Sequence, residues 1–211
     1  MKRKLLIVPF FGELPNWVDK WLESINKIKD YGYDLLFTKE LGHFNERVEK
    51  SLGFRTPIQE GTGKVWDYRP AFGKLFEKEL QGYDYWGHTD PDVVYGNIDH
   101  FMPDSFLEEF DIISDESNYI GGHWTLYKNK VEVNDLFLSC PSSIQLMKDP
   151  RPNGWIERQF TEYAEGKVKV KYRFVQADRG NEGLVFRDGC LYQREREVML
   201  SHFKEQKKWP L

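Results

Sequence analysis

Hydrophobic positions come in two rhythms along this chain. Lys4 to Phe11 is a nearly unbroken apolar run, the pattern of a strand covered on both faces in a parallel sheet. After the loop Gly12 to Pro15, Trp17, Trp21, Leu22, Ile25 and Ile28 recur at helical spacing, with Asn16 placed to cap the helix. Tyr33 to Thr38 predicts a second strand, so the opening segment reads as a βαβ unit. Phe44 to Leu52 predicts a short helix and Gly53 to Gly63 a loop. Pro70 then opens another helix, where its missing N–H does no harm, and Phe72, Leu75, Phe76 and Leu80 form the apolar stripe.

Tyr83 to His88 predicts a third strand ending in Thr89-Asp90-Pro91-Asp92. Strands are also predicted over Phe110 to Ser114 and, after the Gly121-Gly122 turn, Trp124 to Tyr127. Asn134 to Lys148 and Trp155 to Ala164 predict helices. The C-terminal part turns to strands: Val168 to Val175, Leu184 to Phe186 and Cys190 to Gln193, the last two joined by the hairpin signal Asp188-Gly189. Neither an internal repeat nor a low-complexity linker divides the chain. The pattern predicts one α/β domain over residues 1–211, an open mixed sheet flanked by helices.

Composition narrows this further. Of 211 residues, 40% are hydrophobic and 30% charged, which fits a folded globular chain. Thirty Lys and Arg against 34 Asp and Glu leave a net charge of −4, which argues against a general nucleic-acid binder but not against a local basic site. The 7 Trp, 11 Tyr and 15 Phe exceed what a core alone needs and leave flat faces for sugars or bases. Cys140 and Cys190 cannot build a disulfide framework, and two reduced thiols fit the cytoplasm. The apolar run Leu5 to Phe11 is too short for a signal peptide and lacks a small-residue cleavage site. No stretch approaches the roughly 20 apolar residues of a membrane span. Peripheral membrane contact through Lys2, Arg3 and Lys4 stays open.

Three segments carry candidate chemistry. Pro91 cannot donate to a ladder and holds Asp90 extended, so Asp90 and Asp92 leave the carboxyl end of a buried strand together. That edge is where open α/β sheets bind ligands. Two close carboxylates repel unless a cation sits between them, and oxygen ligands suit Mg²⁺ or Mn²⁺, which can hold a diphosphate. An ordinary solvated turn is the plain alternative. The second segment runs from Ser201 to Trp209: His202 could complete an octahedral site and favour Mn²⁺, and the lysines could meet phosphate, or the stretch is a basic tail. The third is Lys64-Val65-Trp66-Asp67-Tyr68-Arg69-Pro70 before a helix. Its Lys and Arg could face an anion and Asp67 a sugar or base hydroxyl, or the segment caps the helix.

Taken together, PFFG, KVWDYRPAFGKLF, YDYWGHTDPDVVYGNID, GGHWTLYKN and the late HFKEQKKW resemble a bacterial group of small glycosyltransferase-like proteins with the GT-A fold. The resemblance runs from about Leu5 to Trp209 and is most specific from Lys64 to Asp99. It implies a DxD metal site of Asp90 and Asp92, with Asp90 shared between metal and ribose, and His202 as the late metal ligand. It implies that Lys207 or Lys208 reaches the diphosphate. Pro9, Phe10 and Phe11 would line the base, with Thr38 nearby, and Lys64, Asp67 and Arg69 would approach the donor. Gly121, Gly122 and His123 would form the floor under the donor sugar. The implied cofactor is Mn²⁺ or Mg²⁺, and the implied partners are a nucleotide-diphosphate sugar, UDP-linked, and a carbohydrate or other hydroxyl acceptor.

The sequence departs from the resemblance at one place. Related enzymes often carry paired acids on the acceptor-facing helix, whereas Gly154-Trp155-Ile156-Glu157-Arg158 offers only Glu157. Glu157 is therefore the candidate catalytic carboxylate, with an exposed helix-face charge as its alternative. Two other functions compete: a haloacid-dehalogenase-like phosphohydrolase and a non-catalytic nucleotide-sugar binder. The first normally carries its Asp-x-Asp on the first strand and a glycine after it; here the motif ends the third strand and Val93 follows.

Overall fold

The computed structural model describes residues 1–153, 155–173, 175–177 and 183–202. Eleven strands occur among them, in chain order β1 Lys4–Pro9, β2 Tyr33–Thr38, β3 Tyr85–Thr89, β4 Val93–Tyr95, β5 Ile112–Ser114, β6 Trp124–Lys128, β7 Val170–Tyr172, β8 Leu184–Arg187, β9 Cys190–Gln193, β10 Arg196–Val198 and β11 Leu200–His202. Six of them build the main sheet in the order β2-β1-β3-β6-β5-β7. β1 pairs in parallel with β2 and β3, β6 runs antiparallel to β3 and β5, and β7 is parallel to β5. Only β6 opposes the rest. Its first residues therefore lie at the edge where β1, β2, β3 and β5 end, and that edge collects the site.

Strand alternation explains the two faces. Leu5 and Ile7 of β1 enter one core with Phe44, Val48, Phe72 and Trp86, while Leu6 and Val8 enter the other with Trp21, Ile25, Tyr33 and Trp124. Helix Val18–Ile28 covers the second face through Trp21, Ile25 and Ile28. Helix Leu41–Leu52 covers the first through Phe44 and Val48 and ends at Gly53, whose φ of 74° closes the last turn. The basic start of the chain is paired: Lys4 Nζ lies 2.7 Å from Asp104, Lys2 Nζ 3.0 Å from Glu108 and Arg3 Nη2 3.4 Å from Asp34. No described helix is long and apolar enough to cross a membrane.

Several local expectations shift. Trp17, not Asn16, precedes the first helix, and no side chain caps it. Pro70 lies inside a 3₁₀ helix, Gly63–Ala71, and the α-helix after it covers only Phe72–Leu75, although Phe76 and Leu80 are buried as their spacing implied. Asn134 to Lys148 is not one helix. The chain forms a short helix Val131–Asn134, a 3₁₀ turn Leu136–Ser139 and, past Pro141, a helix Ser143–Lys148. The Asp188-Gly189 hairpin is present with φ of 51° and 80°, and a second left-handed pair, Arg194-Glu195, joins β9 to β10.

Candidate functional site

Two pairings of distant segments build the site. Across the β3–β6 ladder Thr89 faces Trp124, and one step further Asp90 N–H donates to His123 O at 3.0 Å. Asp90 and His123 are thereby fixed side by side. The ladder of β4 with β11 sets His202 opposite Val93, beside Asp92. The outcome is a cluster in which His123 Nδ1 lies 3.3 Å from Asp90 Oδ2 and His202 Nε2 3.2 Å from Asp92 Oδ1. The two imidazoles stack with centroids 3.5 Å apart and planes 27° apart. Ligand atoms of Asp90, His123 and His202 all fall within 4.8 Å of one another. Asp92 Oδ1 is buried without a well-directed hydrogen bond.

This cluster forms one wall of a cleft of about 460 Å³. Arg69 forms its base. The guanidinium donates from Nη1 to Glu157 Oε1 at 3.1 Å and to Gly122 O at 3.0 Å, and from Nη2 to Asp90 Oδ1. Burial would raise the Asp90 carboxyl, but Arg69 and then His123 outweigh it and hold Asp90 well below the usual carboxylate range. Glu157 moves the other way: burial raises it, and Arg69 only partly opposes. Phe10, Trp17, Trp66, Tyr119 and Asn153 line the rest of the cleft, and Trp66 is half exposed.

The Gly121-Gly122 turn clears space for two carboxylates. A Cβ on Gly121 would stand 2.4 Å from the Glu157 carboxyl carbon, and one on Gly122 would stand 2.4 Å from Glu116 Cγ. Both glycines also hold positive φ, 148° and 69°. Glu116 reaches towards His123, with Oε1 3.9 Å from Nε2.

Not every residue expected at a ligand faces the cleft. Lys64 is fully buried and donates to Asp67 Oδ2 at 2.7 Å, Leu146 O at 2.6 Å and Arg151 O at 3.2 Å. Asp67 touches the cleft rim, but its Oδ2 takes Lys64 and the Asn153 N–H, so the pair clamps the segment 146–153. Pro9 and Phe11 turn inward, and Phe11 packs on Phe44 at 5.4 Å, because alternation aims only Phe10 at the cleft. Thr38 ends β2, with β1 between it and β3, and does not line the cleft; its carbonyl accepts the Phe10 N–H. Gly121 lies behind Glu157, while Gly122 and His123 reach the lining. Lys207 and Lys208 lie outside the described residues. Sequence reasoning missed Glu116, Trp17, Trp66, Tyr119 and Asn153. Glu116 alone had a legible signal, an acid just ahead of the paired glycines.

The donor set suits a divalent cation: carboxylate oxygens with imidazole nitrogens, and Asp92 Oδ1 buried with only the His202 ring beside it. The charge balance points the same way, since Arg69 is the only Lys or Arg among the described residues lining a cleft that also holds Asp90, Asp92 and Glu157.

A mixed sheet flanked by helices, with a cleft where β3 ends, is the GT-A architecture of glycosyltransferases. The crystal structure of a glycosyltransferase involved in the glycosylation of the major capsid of PBCV-1 aligns over 96% of this chain and 96% of its own, at TM-score 0.57 and 9% identity. Mouse xyloside xylosyltransferase 1 aligns at TM-score 0.47 with 14% identity over 98% and 87% of the two chains. Galactosyltransferase LgtC in complex with donor and acceptor sugar analogs aligns at 0.46 with 15% identity over 93% and 86%. At these identities the likeness is one of fold, and only the first superposition is close enough to weigh. Residues 6–149 match the family described as "Family of unknown function (DUF6625)", and the chain belongs to that family. No curated protein matches it.

Proposed function

We propose that this protein is a metal-dependent glycosyltransferase, its whole chain one catalytic domain. It moves a sugar from a nucleoside-diphosphate sugar, UDP-linked, to a hydroxyl on a carbohydrate acceptor, in surface polysaccharide synthesis at the cytoplasmic side. The observation that carries the reading is the convergence of Asp90, Asp92, His123 and His202 at the end of β3 in a fold shared with a glycosyltransferase. Cys140 and Cys190 are both free, which agrees with a cytoplasmic setting.

A nucleoside diphosphate is anionic, and so is this cleft. The charges of Asp90, Asp92 and Glu157 outnumber Arg69, so the described residues alone repel the ligand they are proposed to bind. Asp90, Asp92 and His202 would hold the divalent ion, Mn²⁺ or Mg²⁺, that bridges this gap; when bound, it neutralises the diphosphate as charge develops on the leaving group. Arg69 is held between Asp90 and Glu157 and presents a fixed positive charge at the cleft base. Phe10 offers a flat face beside the base, and Trp66 one at the rim for a sugar ring. Glu157 lines the cleft beside Arg69, and its raised affinity for a proton suits a group that would take one up from an acceptor hydroxyl.

The test is ligand-dependent thermal stability with a turnover assay. A ligand that binds only the folded state raises stability with the logarithm of its concentration over its dissociation constant. UDP with Mn²⁺ should raise Tm by several degrees, and chelator should remove most of the shift. UDP-sugars should slowly release UDP under the same conditions. Equal shifts with and without metal, or no release from any nucleotide sugar, would overturn the proposal.

A further inference from the structure

We propose that Asp115 is a positioning residue for the cleft: its buried carboxyl joins the loop that carries His123 to the strand that carries His202, and so sets the two rings against each other. Its consequence for binding rests on the proposed function; the linkage itself does not.

Asp115 follows β5, is closed to solvent and does not line the cleft. Its backbone N–H donates to Trp124 O at 3.1 Å, and its Oδ1 accepts the Trp124 N–H at 3.1 Å. The side chain thereby adds a rung to the β5–β6 ladder beyond the last backbone pair, Ser114 with Thr125. Residues 116–123 form a loop closed at its base by this carboxyl, and the loop brings Tyr119, Gly122 and His123 to the cleft. The other oxygen faces a different segment. Gln176, also buried, points Nε2 at Asp115 Oδ2 and at Asp115 O, both at 3.4 Å. Gln176 is bridged to Leu200, with Met199 N–H donating to Val175 O at 2.8 Å and Ala177 N–H to Leu200 O at 2.9 Å. β11 is therefore held between β4 and the segment 175–177, and His202 is its last residue.

A carboxyl at this depth is costly unless it is neutral and hydrogen-bonded. Burial, and then the charge of Glu116, raise it well above the usual carboxylate range, so it acts as a neutral polar junction and not as a counter-ion. An apolar side chain in its place would leave the Trp124 N–H buried without an acceptor and Gln176 without its anchor. The stacked rings of His123 and His202, with centroids 3.5 Å apart, are where the two arms of the junction meet.

The chain has five histidines, so labelled imidazoles can be followed singly by NMR in the full chain treated with chelator. Wild-type protein should show a ring-to-ring Overhauser contact between His123 and His202. Asp115→Asn, which keeps an acceptor for Trp124 and a polar group for Gln176, should retain it. Asp115→Ala and Gln176→Leu should each lose it, and the double variant should be little worse than Asp115→Ala, as expected for groups in one network. Mn²⁺ affinity, measured on the same proteins, should fall about tenfold in Asp115→Ala and Gln176→Leu, the lower end of the cost of losing a supporting partner, and stay within about twofold in Asp115→Asn. A ring contact that survives both truncations, or an Asn variant as impaired as the Ala variant, overturns the inference. Where Asp115→Ala fails to fold, Gln176→Leu decides, because it leaves the Trp124 bond in place. Ring contacts that follow this pattern in a protein that binds neither Mn²⁺ nor UDP would sink the glycosyltransferase reading alone. Contacts unchanged by truncation, with metal-dependent UDP release, would sink this inference alone.

Discussion

Two cation–carboxylate groups stand five residues apart on the same 3₁₀ helix, and they do different work. Lys64 is sealed: its ammonium group spends hydrogen bonds on Asp67, Leu146 O and Arg151 O, and neither side chain of the pair exceeds 5% exposure. Arg69 is set between Asp90 and Glu157, each 18% exposed and each opening on the cleft. In sequence the two look alike, a base next to an acid before a helix. The difference is what lies opposite. Lys64 meets Asp67 and backbone carbonyls of the segment 146–153 with no side facing the cleft, whereas Arg69, besides Gly122 O, meets two acids that line the cleft. A cation sealed on every side ties segments together; one that borders a cleft can bind something.

Breaking each group should separate these roles. The largest effect should come from Lys64→Met, which leaves Asp67 buried without its cation and costs about 3–5 kcal/mol, or about 10 °C in Tm for a chain of this size. Thermal melts would show the loss, while molecules that remain folded should bind UDP and Mn²⁺ normally. A Tm within about 2 °C of wild type, or weakened nucleotide binding without unfolding, would put Lys64 in the site and erase the contrast. Arg69→Ala should lower UDP release by about 10²–10³-fold, the range for removing a charge-stabilising donor, and because Arg69 is also buried between two acids its loss should lower Tm as well, by less than Lys64→Met since both acids open on the cleft. Arg69→Lys should not rescue it, because a point charge cannot fork to two carboxylates.

The smallest effect concerns pH. Burial raises the Glu157 carboxyl in the folded protein, so that state holds the proton more tightly than the unfolded chain. The group's contribution to stability is then full below its unfolded value, near 4.3, and is lost as pH rises through the folded value. Glu157→Gln, which mimics the protonated acid, should match wild-type Tm near pH 4 and exceed it by about 2 °C at pH 8, measured in chelator. A constant difference across that range would show that Arg69 fully compensates the burial.

How much was legible varies by element. The apolar run Lys4 to Phe11 became β1, whose six residues are all buried, and Tyr33 to Thr38 became β2, a partly buried edge strand, because apolar residues on both faces leave a strong local pattern. Asn134 to Lys148 misled, since its apolar spacing reflects burial in three short pieces broken near Pro141. Phe11 looked like a base-stacking residue next to Phe10, yet one step along an extended chain reverses the side chain and sends it into the core. His123 carried no metal signal, because a single imidazole after two glycines has no spacing to read.

The sequence by itself determined the alternation of strand and helix and placed Asp90-Pro91-Asp92 where a buried strand ends. These are local matters of apolar period and of a proline that cannot join a ladder. Only the tertiary structure decided that β6 opposes its neighbours and so delivers His123 to the edge where β3 ends, and that β11 pairs with β4 and sets His202 beside Asp92. It also decided that Lys64 and Arg69 are both buried and that only Arg69 borders the cleft. Strand pairing joins residues far apart in the chain, and burial depends on which distant segment covers a side chain, so neither leaves a mark at the residue itself.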